Sequence, residues 1–166
     1  MADSAPGASG EPVAPSESPA IVWFRDDLRL SDNPAVNRAL ASGRPLIFVY
    51  VIDDQGSGLR PLGGAARWML HQSLAALDAA LNQRGAQLLF MRGAAVEAID
   101  WLTRQCGAGA VHWNRRYGGA ERAVDAGVKA SLGARGILAE SDNAALLREP
   151  WTTRNRAGEQ IGRAHV

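Results

Sequence analysis

Two polar clusters in this chain contain the side chains that could recognise a ligand. Residues 25–29, RDDLR, directly follow the apolar run AIVWF, and residues 114–117, NRRY, begin with the last residue of the run GAVHWN. Arginine guanidinium groups bind carboxylates and phosphates through paired hydrogen bonds, and asparagine and tyrosine add neutral donors and acceptors. The second cluster therefore offers ligand recognition by Arg115, Arg116 and Tyr117.

The first cluster also allows a purely structural interpretation. Arg25 and Arg29 each have acidic neighbours with which they can form paired hydrogen bonds. Those neighbours are Asp26, Asp27 and Asp32. Such an ion-pair network would hold the loop after the first strand and cap nearby helices. We favour the network for this cluster and weigh the structural and ligand-binding interpretations equally for the second.

Short apolar runs alternate with amphipathic stretches from residue 20 onward, which predicts the order βαβαβαβαβ. Asp32 is the predicted N-cap of the first helix, and Gly43 its predicted end. The remaining helices are predicted at residues 64–84, 94–106 and 119–132. The predicted strands are AIVWF, PLIFVYVID, AQLLFM, GAVHWN and GILAE.

This alternation predicts a doubly wound, Rossmann-like α/β domain over residues 20–141, with a five-stranded parallel sheet and helices on both faces. Ligands of open α/β sheets bind beyond the carboxyl ends of the strands, where the strand order reverses. For the order 3-2-1-4-5, taken from the fold class, that point lies between the first and fourth strands. We therefore expect both polar clusters to meet at one crevice.

Composition narrows the possible classes of protein. The formal net charge is only +1, so the bulk charge argues neither for nor against a nucleic-acid partner. Cys106 is the single cysteine, which excludes an intramolecular disulfide and fits a cytoplasmic location. No apolar run approaches the ~20 residues that a membrane span needs. Residues 1–19 are rich in Ala, Pro, Ser and Gly, and we expect a disordered tail there.

Other candidate residues favour packing over chemistry. The chain has neither a Walker loop nor a G-x-G-x-x-G after its first strand. His71 and His112 lack Cys or carboxylate partners at metal spacing, so we predict no metal site. The tryptophans on predicted strands and helices are expected in the core. These are Trp23, Trp68, Trp101 and Trp113.

Four segments resemble the DNA photolyase/cryptochrome family. WFRDDLRLSDNP, residues 23–34, is similar to its opening motif W-F-R-x-D-L-R-x-x-D-N. Residues 60–81 resemble its second helix, and WNRRYGGAERAVD, residues 113–125, its fourth strand and following helix. LLREPWTTRNRAGEQ, residues 146–160, resembles the segment that leaves this domain. The resemblance covers residues 21–160 and is closest to the microbial photolyases.

That resemblance implies a light-driven repair enzyme as the parent protein. Members of the family split pyrimidine dimers in DNA by electron transfer from reduced FAD. Their N-terminal α/β domain holds an antenna chromophore, and a larger helical domain holds FAD and the DNA lesion. We therefore expect residues 142–160 to begin a linker to an FAD domain that this chain lacks. No catalytic residue is predicted here, and the chain alone is not expected to repair DNA.

Two other functions remain open at this stage. A cryptochrome photoreceptor is a signalling protein on the same scaffold, and its distinguishing features would lie in the FAD domain. A stand-alone nucleotide-binding α/β module is the second alternative, although no phosphate-binding loop supports it.

The family's antenna residues carry over only in part. In folate-type microbial photolyases an Asn-Glu pair opens the fourth helix and contacts the folate. The matching pair here is Ala120-Glu121, so the amide that would bond the pterin is missing. Deazaflavin or flavin antennae of other members lie in the expected crevice. We therefore predict a folate or flavin-type chromophore at a six-residue site. Its residues are Arg25, Asn114, Arg115, Arg116, Tyr117 and Glu121.

The last six residues, IGRAHV, depart from the family's pattern. The codons ATC GGA AGA GCA CAC GTC encode this string and form the body of a common sequencing adapter. We expect residues 161–166 to be adapter read-through that truncated the reading frame. A natural short C-terminus is the alternative.

Overall fold

The computed structural model describes residues 18–54 and 58–152. Three predictions concern residues outside these ranges. They are the disordered tail, except for its last two residues, the end of the linker and the adapter read-through. Within them, five strands form one parallel sheet in the order β3-β2-β1-β4-β5. The strands are β1 (Ala20–Phe24), β2 (Leu46–Ile52), β3 (Leu88–Arg92), β4 (Ala110–Asn114) and β5 (Leu138–Asp142). The predicted fold class and strand order are confirmed.

Four helices cover the two faces of this sheet. They are α1 (Pro34–Ala41), α2 (Gly64–Asn82), α3 (Ala95–Cys106) and α4 (Gly119–Gly133), and a 3-10 turn follows at Pro150–Thr152. One core contains Ile99 of α3 and Val128 of α4 against Trp113 of β4. The other contains Val36 of α1 and Leu77 of α2 against Phe24 of β1. The central strands are thus apolar on both faces, as parallel strands between two helical layers require.

The end of β5 differs from the prediction GILAE. Gly136 has a φ of 69° and lies in the turn before the strand. β5 pairs with β4 from Ala110↔Leu138 to Asn114↔Asp142, so it runs two residues past the predicted end. Asp142, predicted to begin the linker, is therefore part of the sheet.

The first helix is capped by a residue other than the predicted Asp32. Asn33 is the N-cap, and its side-chain oxygen accepts a hydrogen bond from the Val36 N–H at 3.2 Å. Asp32 has a φ of 49° and lies in the preceding turn, so its carboxylate cannot cap the helix. Pro34 occupies the first helical position, where its missing N–H costs nothing.

The prediction that four tryptophans lie in the core is half right. Trp23 and Trp113 are 2% and 0% exposed, whereas Trp68 and Trp101 are 61% and 55% exposed. At 3.6 residues per turn, Trp101 lies roughly 200° around α3 from the buried Ile99. Trp68 precedes the part of α2 that reaches the sheet, where burial begins at Leu74. Both side chains therefore point away from the core.

Among the described residues, no helix is long and apolar enough to cross a bilayer.

His112 makes the stability of the domain dependent on pH. The side chain is 1% exposed on β4, and neither ring nitrogen has a hydrogen-bond partner among the described residues. Burial lowers the pKa of His112 below its usual 6.5. Glu140 and Asp142 on β5 oppose this shift, and Arg38 and Arg44 reinforce it. The unfolded chain therefore takes up a proton near pH 6.5 that the folded chain resists.

We expect the free energy of unfolding to be constant above pH ~6.5 and to fall below it, with a slope of at most ~1.4 kcal/mol per pH unit for a single histidine. Urea titrations at pH 7.5, 6.5 and 5.5 measure this slope. His112→Leu should flatten it, whereas His71→Asn, at an exposed position of α2, should leave it in place. An equal slope in wild type and His112→Leu would show that other groups cause the pH dependence.

Candidate functional site

The carboxyl ends of β1 and β4 open into a cleft of about 270 Å³. The loop after β1 contributes Asp26, Asp27 and Arg29 to its wall. The other wall contains five of the six predicted site residues, namely Asn114, Arg115, Arg116, Tyr117 and Glu121. The strand order thus brings the two polar clusters together, as the position of the crossover reversal requires.

Arg25, the sixth predicted residue, lies beneath the cleft and does not line it. Its side chain is 4% exposed, and its two terminal nitrogens contact both carboxylate oxygens of Asp125. One of them also donates to the backbone oxygen of Asn114. The guanidinium carbon lies 4.5 Å from the centre of the Trp23 ring. Burial lowers the pKa of Arg25, and the hydrogen bonds and charge of Asp125 oppose that shift.

The predicted pairing of Arg25 and Arg29 with nearby aspartate side chains is therefore wrong. Arg25 instead pairs with Asp125, which is 100 positions away on α4. Arg29 donates to the backbone oxygens of Asp32 and Ala144. A signal for Asp125 exists in the sequence, because it lies on the apolar stripe of α4 with Val128. A lone carboxylate at such a position predicts a buried cationic partner.

Asp125 links the ion pair to the core. Besides Arg25, it accepts a hydrogen bond of 3.0 Å from the indole Nε1 of Trp113. The rings of Trp113 and Trp23 lie side by side with centroids 5.8 Å apart. One carboxylate therefore fixes the charged base of the cleft and both buried tryptophans.

A second buried network connects the two walls. Asn114, 4% exposed, donates to Asp27 and, at 2.8 Å, to the side-chain oxygen of Asn33. Its own side-chain oxygen accepts the backbone N–H of Ala35 at 3.2 Å. Asn33 in turn donates to Asp27 at 3.1 Å. Both amide hydrogens of Asn114 are thus used within the protein, which makes it a brace between β4, α1 and the loop after β1.

Arg116 lines the cleft and carries a donor that the protein leaves unpaired. Its Nε is buried and has no hydrogen-bond partner among the described residues. A buried donor without a partner costs free energy, and a ligand acceptor would recover it. The charge of Arg116 also acts on its neighbours, because it lowers the pKa of Arg25 and opposes the rise in the pKa of Tyr50 that burial causes.

Arg115 and Tyr117 face the cleft and also contact the chain beyond β5. The Nε of Arg115 and the hydroxyl of Tyr117 both donate to Glu149 Oε1, at 2.8 and 2.9 Å. Burial raises the pKa of Tyr117, and the hydrogen bond to Glu149 adds to that shift. Glu149 was not among the predicted site residues, because the segment that contains it was expected to leave the domain.

Glu121 lies in the first turn of α4, close against the N-cap Gly118. A carboxylate is favoured there by the exposed N–H groups of the helix start. Ala120 beside it offers no side-chain donor. Within residues 18–54 and 58–152, no three His, Cys, Asp or Glu side chains are grouped so that they could hold a metal ion.

Comparison with known proteins shows several relatives with this arrangement. Residues 20–163 match the family model described as DNA photolyase. The chain is 43% identical over 141 residues to deoxyribodipyrimidine photo-lyase of Agrobacterium fabrum, and 36% identical over 140 residues to cryptochrome-1 of Arabidopsis thaliana. These matches cover 85% and 84% of this chain but only 29% and 20% of the relatives.

Solved structures show the same likeness. The crystal structure of a class III photolyase from Agrobacterium tumefaciens aligns with a TM-score of 0.79 and 38% identity, over 92% of this chain and 31% of that one. An archaeal photolyase from Sulfolobus tokodaii, described with two FAD molecules and a novel light-harvesting cofactor, aligns with a TM-score of 0.74 and 25% identity, over 83% of this chain and 32% of that one.

Proposed function

Because this chain belongs to the DNA photolyase family, we propose that it forms the antenna-chromophore domain of a light-driven photolyase that repairs pyrimidine dimers in DNA. The chain spans less than a third of the curated relatives it matches. We therefore assign FAD, the DNA lesion and catalysis to a helical domain in the same polypeptide. This domain alone should not repair DNA, and we place the parent enzyme in the cytoplasm.

The cleft between β1 and β4 is the proposed chromophore site. The observation that supports it best is the buried, unpartnered Nε of Arg116 in the cleft wall. This donor is closed off from solvent, so an acceptor atom on a chromophore would satisfy it when the Arg116 side chain turns toward the cleft, with Tyr117 beside it as an aromatic contact. When bound, an antenna chromophore absorbs light and passes the excitation energy to FAD.

The residues present favour a flavin or deazaflavin over the Asn-Glu mode of folate binding. Ala120 has no amide for a pterin, although Glu121 occupies the first turn of α4 as that mode requires. The Sulfolobus tokodaii photolyase is described with two FAD molecules, with the implication of a novel light-harvesting cofactor. Within our six-residue site, we propose that Arg25 and Asn114 position the cleft walls, while Arg115, Arg116, Tyr117 and Glu121 face the chromophore.

Arg116→Ala should weaken chromophore binding by roughly 10-fold or more, because a charge-assisted hydrogen bond contributes ~1.5–3 kcal/mol. Titration of the domain with FMN and with 5,10-methenyltetrahydrofolate, followed by fluorescence, measures the affinity. Arg122→Ala, an exposed arginine of α4, is the matched control and should bind as wild type does. If neither chromophore binds the wild-type domain, the proposed antenna site is wrong.

A cryptochrome-type photoreceptor is the second candidate, because cryptochrome-1 of Arabidopsis thaliana is 36% identical to the chain. The higher identity of 43% to a deoxyribodipyrimidine photo-lyase favours the repair enzyme. Light-dependent dimer splitting by the complete protein would distinguish the two.

A further inference from the structure

The chain turns back over the sheet after β5 instead of leaving the domain. We call residues 143–152 the strap. Asn143 starts it with a tight turn, in which its side-chain oxygen accepts the backbone N–H groups of Ala145 and Leu146 at 3.2 and 3.0 Å. This turn directs Ala144 and Ala145 into the cleft wall. The strap is therefore one side of the cleft.

Two side chains of the opposite wall hold the strap in place. Arg115 and Tyr117 both donate to the same oxygen of Glu149, at 2.8 and 2.9 Å. The ring of Trp151 lies 6.0 Å from that of Tyr117 and 5.8 Å from the guanidinium carbon of Arg115. Near the start of the strap, Arg29 donates to the backbone oxygen of Ala144 at 3.3 Å.

These contacts make the strap a segment held mainly by polar groups. The Glu149 side chain is only 14% exposed, while Leu147, two residues earlier, is fully exposed. A segment with few buried apolar contacts opens locally at low free-energy cost. Glu149 provides the ion pair among the contacts that hold the strap, beside the Tyr117–Asn143 hydrogen bond of 3.0 Å and the packing of Trp151.

We infer that the strap is a movable wall of the cleft and that Glu149 is the positioning residue that latches it through Arg115 and Tyr117. This inference rests on the proposed function only for the identity of the ligand. With the latch closed, Arg115 and Tyr117 are fixed and the outer side of the cleft is covered. With the latch open, Arg115 keeps its contacts with Ser141 and Tyr117 its contact with Asn143, but the outer side of the cleft is uncovered and a bound chromophore escapes faster.

The test uses the complete chain with three variants. Glu149→Ala removes the latch, Glu149→Gln keeps an acceptor oxygen without the charge, and Leu147→Ala changes an exposed residue of the same strap. Trypsin cleavage after the exposed Arg148 reports opening of the strap when its rate, followed by mass spectrometry, is divided by the rate for a peptide of residues 143–152 with the same substitution. Hydrogen exchange reports opening of the cleft at residues 114–118, and the dissociation rate of FMN reports retention of the ligand. Urea unfolding shows whether any change is merely a loss of global stability.

We expect Glu149→Ala to speed cleavage after Arg148 at least 5-fold, to raise exchange at residues 114–118 and to speed FMN release. Its unfolding midpoint should stay close to wild type. The rates of cleavage, exchange and FMN release in Glu149→Gln should fall between those of wild type and Glu149→Ala. The rates in Leu147→Ala should match those of wild type. Unchanged cleavage in Glu149→Ala would overturn the latch, and faster cleavage with unchanged FMN release would overturn the role of the strap as a wall. If wild type binds no FMN, the proposed function fails for that ligand, and cleavage and exchange alone decide the inference.

Discussion

Asp125→Ala should lower the free energy of unfolding by ~3–5 kcal/mol, the usual cost of removing one partner from a buried ion pair. The variant leaves the Arg25 guanidinium at 4% exposure without a countercharge, and the Trp113 indole without an acceptor. Domains of this size are stable by only ~5–15 kcal/mol, so the loss is roughly a fifth of the total or more. Urea unfolding followed by tryptophan fluorescence measures it.

Two further variants separate the ion pair from general damage. Arg104→Ala breaks the exposed pair with Asp100 on α3, and it should cost ~0.5 kcal/mol or less. The double variant Arg25→Met with Asp125→Leu replaces both charges by apolar groups and should recover much of the loss. If Asp125→Ala lies within 1 kcal/mol of wild type, the side chains must rehydrate on mutation and the ion pair is not a structural element. Should Asp125→Ala be unfolded, the double variant still tests the pair.

The sequence predicted those features of the fold that depend on local or periodic patterns of residues. Alternating apolar runs and amphipathic stretches predicted the five strands and four helices, and the fold class then placed residues 114–117 beside residues 25–29. Local patterns failed where a partner was distant in the chain. Asp125 lies 100 positions from Arg25, and only its place on an apolar stripe marked it as unusual.

Two other features of the structure were not predicted, for equally simple reasons. Asp32 and Asn33 are both residue types that cap helix N-termini well. The backbone decides between them, because Asp32 has a φ of 49°, and the residue types alone do not predict this angle. The segment with Glu149 was predicted to leave the domain because it resembles an interdomain linker. Its return over the cleft depends on Arg115 and Tyr117, for which structural and ligand-binding roles were weighed equally, but without Glu149 as their partner.

Asn114→Ala should cost ~2–4 kcal/mol of unfolding free energy, because three hydrogen bonds of a buried amide are lost together. The main loss is at the Ala35 N–H, which belongs to the first turn of α1, is deeply buried and has only the Asn114 side chain as acceptor among the described residues. Asp27 keeps the Arg25 N–H and the Asn33 amide as donors, and the Asn33 oxygen keeps the Val36 N–H. Urea unfolding measures the cost, and Asn37→Ala, at an exposed position of α1, is the matched control.

The same variant decides whether Asn114 contacts the chromophore or only braces the cleft. Asn33 shares the network but is fully buried and does not line the cleft, so Asn33→Ala damages the brace without removing a possible ligand contact. If Asn114 is a brace, both variants should lower stability and FMN affinity to a similar degree. The double variant should then cost less than the sum, as expected for residues in one network. A 10-fold larger loss of affinity in Asn114→Ala than in Asn33→Ala, at equal stability, would instead make Asn114 a direct contact of the chromophore.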